Sequence, residues 1–207
     1  LWAMGTVDIS FNQARRAEVL AESLGRVLHA AEGMCDGPLS FSSPVPHGDV
    51  GNRGGNVMMT RIEEGGEVFV HASDIQMLSD EAIERIIEWK PGVVIASGPP
   101  VHLPGLASED REDALRRTLR LAGEIDVLIL DHHLMRSMGG EQWLDHASSA
   151  TGGKVICAAD FMGLRRNLLE AERALWYRKF PVPEGWHEAY ARGEVNAQAY
   201  ANRTVFP

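Results

Sequence analysis

Three short strings in this chain end apolar runs with side chains that could hold a metal ion. They are Pro44-Val-Pro-His-Gly48, Ala72-Ser-Asp-Ile-Gln76 and Leu130-Asp-His-His-Leu134. Histidine nitrogen and aspartate oxygen are ligand types that zinc, iron and manganese use in hydrolytic sites. Leu39 and Phe41, Val68 to Val70, and Val127 to Leu130 precede the three strings and read as strands that would hold each ligand rigidly. Three such ends meeting at one sheet edge would make a metal site.

Each candidate also has a plainer reading. His47 lies between Pro46 and Gly48, so its backbone is restricted on one side and free on the other, which suits a ligand on a tight loop. It also suits an ordinary loop histidine. Asp74 reads either as a ligand or as a helix N-cap before Ile75. His71 and Ser73, nearby, read as packing or supporting residues. Alternation along a strand would put His132 and His133 on opposite faces, so one ligates and its neighbour contacts substrate or hydrogen-bonds. We read His132 as the ligand, and Asp131 as a carboxylate that orients one ring by accepting its second N–H. Ser97-Gly-Pro-Pro100 is expected to form a rigid loop at the same edge, either a structural turn or one that leaves the Gly98 amide open to an oxyanion. His102 just beyond is a candidate substrate contact. Arg53, Arg136, Arg165 and Arg166 stand near these loops, where a guanidinium meets a phosphate or carboxylate or simply faces water. His29, His146 and His187 have no motif around them.

The three strings occur in order with Ile9-Ser-Phe-Asn-Gln-Ala-Arg-Arg16, Ala96-Ser-Gly-Pro-Pro100, Ala158-Ala-Asp-Phe-Met-Gly163 and Leu168-Leu-Glu-Ala-Glu-Arg173. As an ordered set they resemble the C-terminal half of a metallo-β-lactamase-superfamily hydrolase, of a branch described as predicted metal-dependent hydrolases. The resemblance implies an α/β fold, the metallo-β-lactamase-like αββα sandwich. It implies His47 on a first metal, Asp74 bridging two, and His132 or His133 on the second. The cofactor would be zinc, two ions in a complete site, with iron or manganese as alternatives. The reaction would be attack of metal-activated water on an ester, amide or phosphodiester, with Asp74, His132 and His133 at the catalytic centre. The superfamily's His-X-His-X-Asp-His motif does not occur in these 207 residues. The chain is therefore expected to hold mainly the C-terminal half of one domain spanning 1–207, incomplete at its N-terminus. It is expected to bind metal weakly, with about three ligands for two ions. Two other readings remain. One is an Asp-His-His-type manganese phosphoesterase, which lacks its upstream Asp-X-Asp here and leaves the Pro-Val-Pro-His-Gly string unexplained. The other is a degenerate half-fold that binds a ligand or partner chain without catalysis.

Composition frames these readings. A chain of 207 residues, 44% apolar and 24% charged, is long enough to bury a sizeable core in one or two domains. Its net charge of −9 argues against a broad nucleic-acid surface, and leaves open which small-molecule or phosphodiester substrate is taken. No run of 18 apolar residues offers a membrane helix. Two distant cysteines, Cys35 and Cys157, make no disulfide framework, so a reduced, cytoplasmic setting is the default. Self-association as a homo-oligomer is compatible with all of this.

Periodicity predicts a helix over about 12–24, short strands over 27–31 and 39–43, and a glycine-rich loop over 48–55. Strands over 57–62 and 68–71 flank a Gly65-Gly66 turn. Strand–helix alternation follows. Ser79 caps a helix with Ile83, Ile86 and Ile87 on its buried face, and Val93–Ala96 is a strand. Ser108 caps the next helix, and Val127–Leu130 is a strand covered on both faces. Residues 142–149 read as helix, 155–158 as strand and 164–179 as a strong helix. Trp186, Tyr190 and Tyr200 lie on weakly helical stretches.

Overall fold

The computed structural model describes residues 2–5, 11–48 and 55–196. Arg53 and Tyr200 lie outside these residues. In chain order the first elements are β1 (Trp2–Ala3), α1 (Phe11–Ser23), β2 (His29–Ala30), β3 (Cys35–Asp36), β4 (Leu39–Phe41), β5 (Val45–Pro46), β6 (Asn56–Val57), β7 (Thr60–Glu64) and β8 (Glu67–Ala72). There follow α2 (Asp80–Glu88), β9 (Val93–Ala96), α3 (Ser108–Glu124), β10 (Val127–Leu130), a 3-10 turn (Leu134–Arg136), α4 (Met138–Ala150), β11 (Val155–Ile156) and α5 (Ala158–Phe161). The last two are α6 (Arg173–Lys179) and α7 (Trp186–Ala191). The chain divides into two compact units, Leu1–Asn167 and Leu168–Pro207.

The first unit is mixed α/β, built on a seven-stranded sheet of order β11-β10-β9-β8-β7-β4-β3. From β8 to β11 neighbours are parallel, while β7, β4 and β3 join antiparallel. The change of sense falls at β8. Its antiparallel partner β7 is joined by a two-residue turn with Gly65 at φ 62° and Gly66 at φ 87°, the pair of positive angles a type I′ hairpin requires. On its other side β8 pairs with β9, and α2, α3 and α4 connect the successive parallel strands, as parallel pairing demands.

Register explains the core. Val70, Val94, Leu128 and Val155 lie in one row across β8, β9, β10 and β11, and all four are fully buried. In the next row, Ala72, Ala96 and Leu130 are buried as well. The rows on either side of the Val70 row turn to the other face, where Phe69, Val93 and Ile95 are half-buried, Ile129 is buried and His71 is exposed. Helix α2 presents Ala82, Ile83 and Ile86 to the core, and Ser79 caps it by accepting from the Ala82 amide at 3.3 Å. At the far end of α3, Lys154 donates to the carbonyl oxygens of Ala122 and Ile125, a cation on the last turn where the helix dipole favours one.

Several predicted elements shift. Ala107, not Ser108, occupies the N-cap of α3, with no side-chain hydrogen bond; Ser108 is already helical. The strand expected over 27–31 is confined to His29–Ala30, which pairs in parallel with Trp2–Ala3. Helix α1 forms as predicted, yet Ala21 is its buried residue, while Val19 and Leu20 are half-exposed and Phe11 is 78% exposed. The predicted helix over 164–179 is cut down to α6. Gly163 at φ 65° ends α5, and Arg166 is held by carboxylates of the first unit, so tertiary bonds override helix propensity here. In the second unit, α6 stacks Trp176 on Phe180 with Lys179 Nζ 5.4 Å from both rings, and α7 stacks Trp186 on Tyr190.

Gly140, in the first turn of α4, has no room for a side chain. A Cβ there would lie 1.7 Å from the Leu134 carbonyl oxygen, so only glycine lets α4 sit against the 3-10 turn that follows His133. Gly140→Ala should therefore cost about 1–3 kcal/mol of stability through overpacking. Gly139→Ala, whose Cβ meets nothing closer than Ser137 Oγ at 3.8 Å, should be neutral or slightly stabilising. Denaturant melts of the two variants check this; equal midpoints would contradict it.

Candidate metal centre

Strands β8, β9 and β10 run parallel, so their C-terminal ends share one edge of the sheet, the edge at which open α/β sheets bind ligands. Asp74 follows β8 by two residues, and His132 and His133 follow β10 by two and three. His47 comes from outside the sheet. It follows β5, whose hairpin with β6 places the His47 amide on the Gly55 carbonyl at 3.1 Å.

One atom gathers the group. His132 Nε2 is 2.8 Å from Asp74 Oδ1, His133 Nε2 is 3.2 Å from it and His47 Nε2 is 3.9 Å from it. The ligand atoms of His47, Asp74 and His133 all lie within 4.8 Å of one another. Zinc bonds of about 2.0–2.2 Å in a tetrahedron put ligand atoms roughly 3.3–3.6 Å apart, so these three need close by about 1 Å to share one ion.

The backbone explains how both histidines reach Asp74. The strand ends at Leu130, and His132 and His133 lie in a turn, where His133 has helical angles of φ −79° and ψ −41°. The rule that adjacent side chains take opposite faces belongs to strands and does not operate here. The rings instead sit side by side, 4.6 Å between centroids. Asp74 is no helix cap, since Ser79 fills that role. It takes a left-handed conformation at φ 60°, which aspartate tolerates better than most residues, and Met77 repeats it at φ 59°.

Ser97, after β9, ties the two ligand loops together. Its buried hydroxyl donates to the Ile75 carbonyl at 2.8 Å, and its own carbonyl accepts from the amides of His133 and Leu134, each at 3.1 Å. The Gly98 amide is not open to an oxyanion, because it too donates to the Ile75 carbonyl. The Ser97–Pro100 loop is the structural turn of the two readings. Gln76 was missed in the sequence. Its side-chain amide lies 3.3 Å from His47 Nε2, and its backbone amide donates to the His47 carbonyl. Gly48 leaves room for it, since a Cβ there would come within 2.5 Å of Gln76 Oε1. The sequence signal was that glycine directly after a histidine.

Other candidates stay apart. Among the described residues, Asp131 forms no hydrogen bond to either ring, and burial raises its pKa. The partner of the His133 ring is Arg136, whose Nη1 lies 3.1 Å from Nδ1. His102 keeps a buried Nδ1 with no hydrogen-bond partner among the described residues and is not one of the three grouped ligands. Arg166 is consumed structurally: it forks onto Asp160 at 2.9 and 2.7 Å and reaches Asp145 at 2.7 Å. His71 is exposed on β8, on the sheet face opposite Val70 and Ala72.

Burial opposes ionisation of Asp74, but hydrogen bonding and charge from His132, with help from His47 and His133, outweigh it and hold the carboxyl below its usual range. Burial, then the positive charges of Arg136 and His132, push His133 down to about 4 against a weaker pull from Asp74. A neutral imidazole beside an ionised carboxylate is the protonation state that metal ligation requires.

No protein-family profile matches the chain, and no solved structure matches it. Curated sequences do. The chain is similar to the UPF0282 proteins. One from Methanosarcina mazei is 46% identical over 199 residues, 96% of this chain and 66% of the relative. One from Methanopyrus kandleri is 37% identical over 179 residues, 81% of this chain and 60% of the relative. One from Pyrococcus horikoshii is 35% identical over 136 residues, 65% of this chain and 43% of the relative. The matches thus span 43% to 66% of the length of these UPF0282 relatives. Among the described residues no helix is long and apolar enough to cross a membrane.

The His133 ring should stay neutral in metal-free protein down to about pH 4. Since the Arg136 charge is one of the causes, Arg136→Ala should raise that midpoint. Ring-proton NMR against pH reads it directly, and a midpoint near 6.5 in the unaltered protein would refute the assigned surroundings. The sign for stability follows. Between pH 6.5 and 4 the unfolded chain takes up a proton that the folded ring refuses, so this group erodes stability as pH falls through that window and not above it.

Proposed function

We propose that the protein is a metal-dependent hydrolase whose ion is held by Nε2 of His47, Oδ1 of Asp74 and Nε2 of His133. The observation that supports it is the convergence of those three atoms at the C-terminal ends of the parallel strands of a mixed sheet. Three protein ligands with a fourth position open is the pattern of catalytic zinc sites, whereas structural sites are closed by four. Zinc suits the donor set, and iron or manganese would accept it. An ion there would supply Lewis acidity and activate water at neutral pH.

The chain's own residues do the rest. His133 offers a neutral nitrogen and His47 a second ring nitrogen, and Asp74 supplies the negative charge that balances the ion. The Gln76 backbone amide holds the His47 carbonyl, and Ser97 keeps the Asp74 and His133 loops in register. His132 shares Asp74 Oδ1 and is about half exposed, at 49% of its side chain, so it is placed to exchange a proton with a bound ester, amide or phosphodiester. It is also the residue from which a second ion's shell would be built, with Asp74 as the bridge. The αββα sandwich belongs to the same proposal. Phe69, Val93 and Ile95 leave one sheet face half-exposed, and a second sheet would cover it.

Asp74→Asn separates ligation from folding. Asparagine accepts φ 60° at least as readily as aspartate but carries no charge. The unaltered protein should retain no more than one equivalent of zinc after dialysis, Asp74→Asn should retain almost none, and His71→Ala should match the unaltered protein. Elemental analysis measures this. Hydrolysis of phosphodiester, ester and lactam reporters should fall with the metal, by about 100-fold or more if Asp74 holds the activating ion. An Asp74→Asn protein with full metal content and activity would return the residue to a turn-forming role.

A further inference from the structure

Two arginines near the ligand loops end in opposite circumstances. Arg166 is saturated by Asp160 and Asp145, with Glu141 3.6 Å away. Arg136, half-buried in the turn directly after His133, pairs with no carboxylate among the described residues. Among the described residues its one hydrogen bond runs from Nη1 to His133 Nδ1. A guanidinium has five N–H donors, and a neutral ring nitrogen leaves most of them unused and the charge unmatched. Partly desolvating a charge without a counter-ion is unfavourable. The favourable complement is an oxyanion taken bidentately.

The intervening ring sets when Arg136 becomes available. Nδ1 can accept from Arg136 only while the ring proton sits on Nε2. If Nε2 ligates an ion, the proton must sit on Nδ1, and two donors would then face each other at the 3.1 Å now occupied by a hydrogen bond. Ligation through Nε2 therefore ends the Arg136–His133 bond and frees the guanidinium beside the ion. Arg136 and Asp74 flank opposite nitrogens of one imidazole. A group meeting both the guanidinium and an ion at Asp74 must present oxygens in diverging directions. A tetrahedral phosphoryl group does so, while a planar carboxylate offers two in a single plane.

We propose that Arg136 is the anchor for a phosphoryl group of the substrate, which makes this a phosphate-ester or phosphodiester site; this rests on the metal reading above. The test titrates inorganic phosphate, with acetate as the planar comparison, into zinc-loaded protein by calorimetry. Phosphate affinity should fall at least tenfold in Arg136→Ala and by less in Arg136→Lys, which keeps the charge but not the fork. Zinc affinity in Arg136→Ala should hold or tighten, because the opposing donor is gone; a merely structural role would loosen it. Phosphate bound equally by Arg136→Ala and the unaltered protein, or acetate bound as tightly as phosphate, would overturn the proposal while leaving the metal site standing. If no zinc binds, the metal reading fails and the anchor falls with it, because only ligation through His133 Nε2 releases Arg136.

Discussion

The candidate site depends on a buried serine more than on any of its ligands. Ser97 sits at the end of the strand between those that carry Asp74 and the histidine pair, and it grips both neighbours at once. Its hydroxyl fixes the loop after β8 and its carbonyl fixes the turn after β10. Three hydrogen bonds in a dry setting hold two chain segments 58 residues apart so that one carboxylate oxygen meets two imidazoles. A buried carbonyl that accepts two amides at once has both lone pairs satisfied, so this tie leaves no polar debt in the core.

Around that tie, the surroundings select protonation state. The same carboxylate is buried enough to be penalised and paired enough to stay ionised, while one adjacent ring is kept neutral by burial and a nearby guanidinium. The chain as a whole is acidic, yet this cluster is locally rich in nitrogen. Net charge describes the outer surface and says little about such a pocket.

Much of this was legible in the sequence. Apolar runs ending in His47, Asp74 and the Asp131-His-His133 string located the site because β8, β9 and β10 follow strand periodicity closely, and the Gly65-Gly66 turn and the Ser79 cap followed from local chemistry. The sequence was least informative where conformation left regular periods. A strand rule applied to His132 and His133 forced a choice between them that a turn does not impose. The roles of Gln76 and Ser97 arise between segments distant in sequence, which spacing does not encode. Helix propensity over 164–172 lost to the ion pairs of Arg166, and α1 kept its predicted helix while leaving most of its apolar side exposed.

The Gly65-Gly66 hairpin has a reach beyond its own turn. It sets the pairing of β8 against β7, and β8 then runs six residues, roughly 20 Å, before Asp74 emerges. Side chains alternate faces with every residue, so a single-residue slip at the hairpin would turn Val70 and Ala72 out of the core and swing the carboxylate off its edge. The position of the metal-ligand candidate is thus indexed from a remote glycine pair. Length changes in that hairpin are tolerable only in steps that preserve parity, and a loop at the opposite end of β8 carries the reading frame of the chemistry.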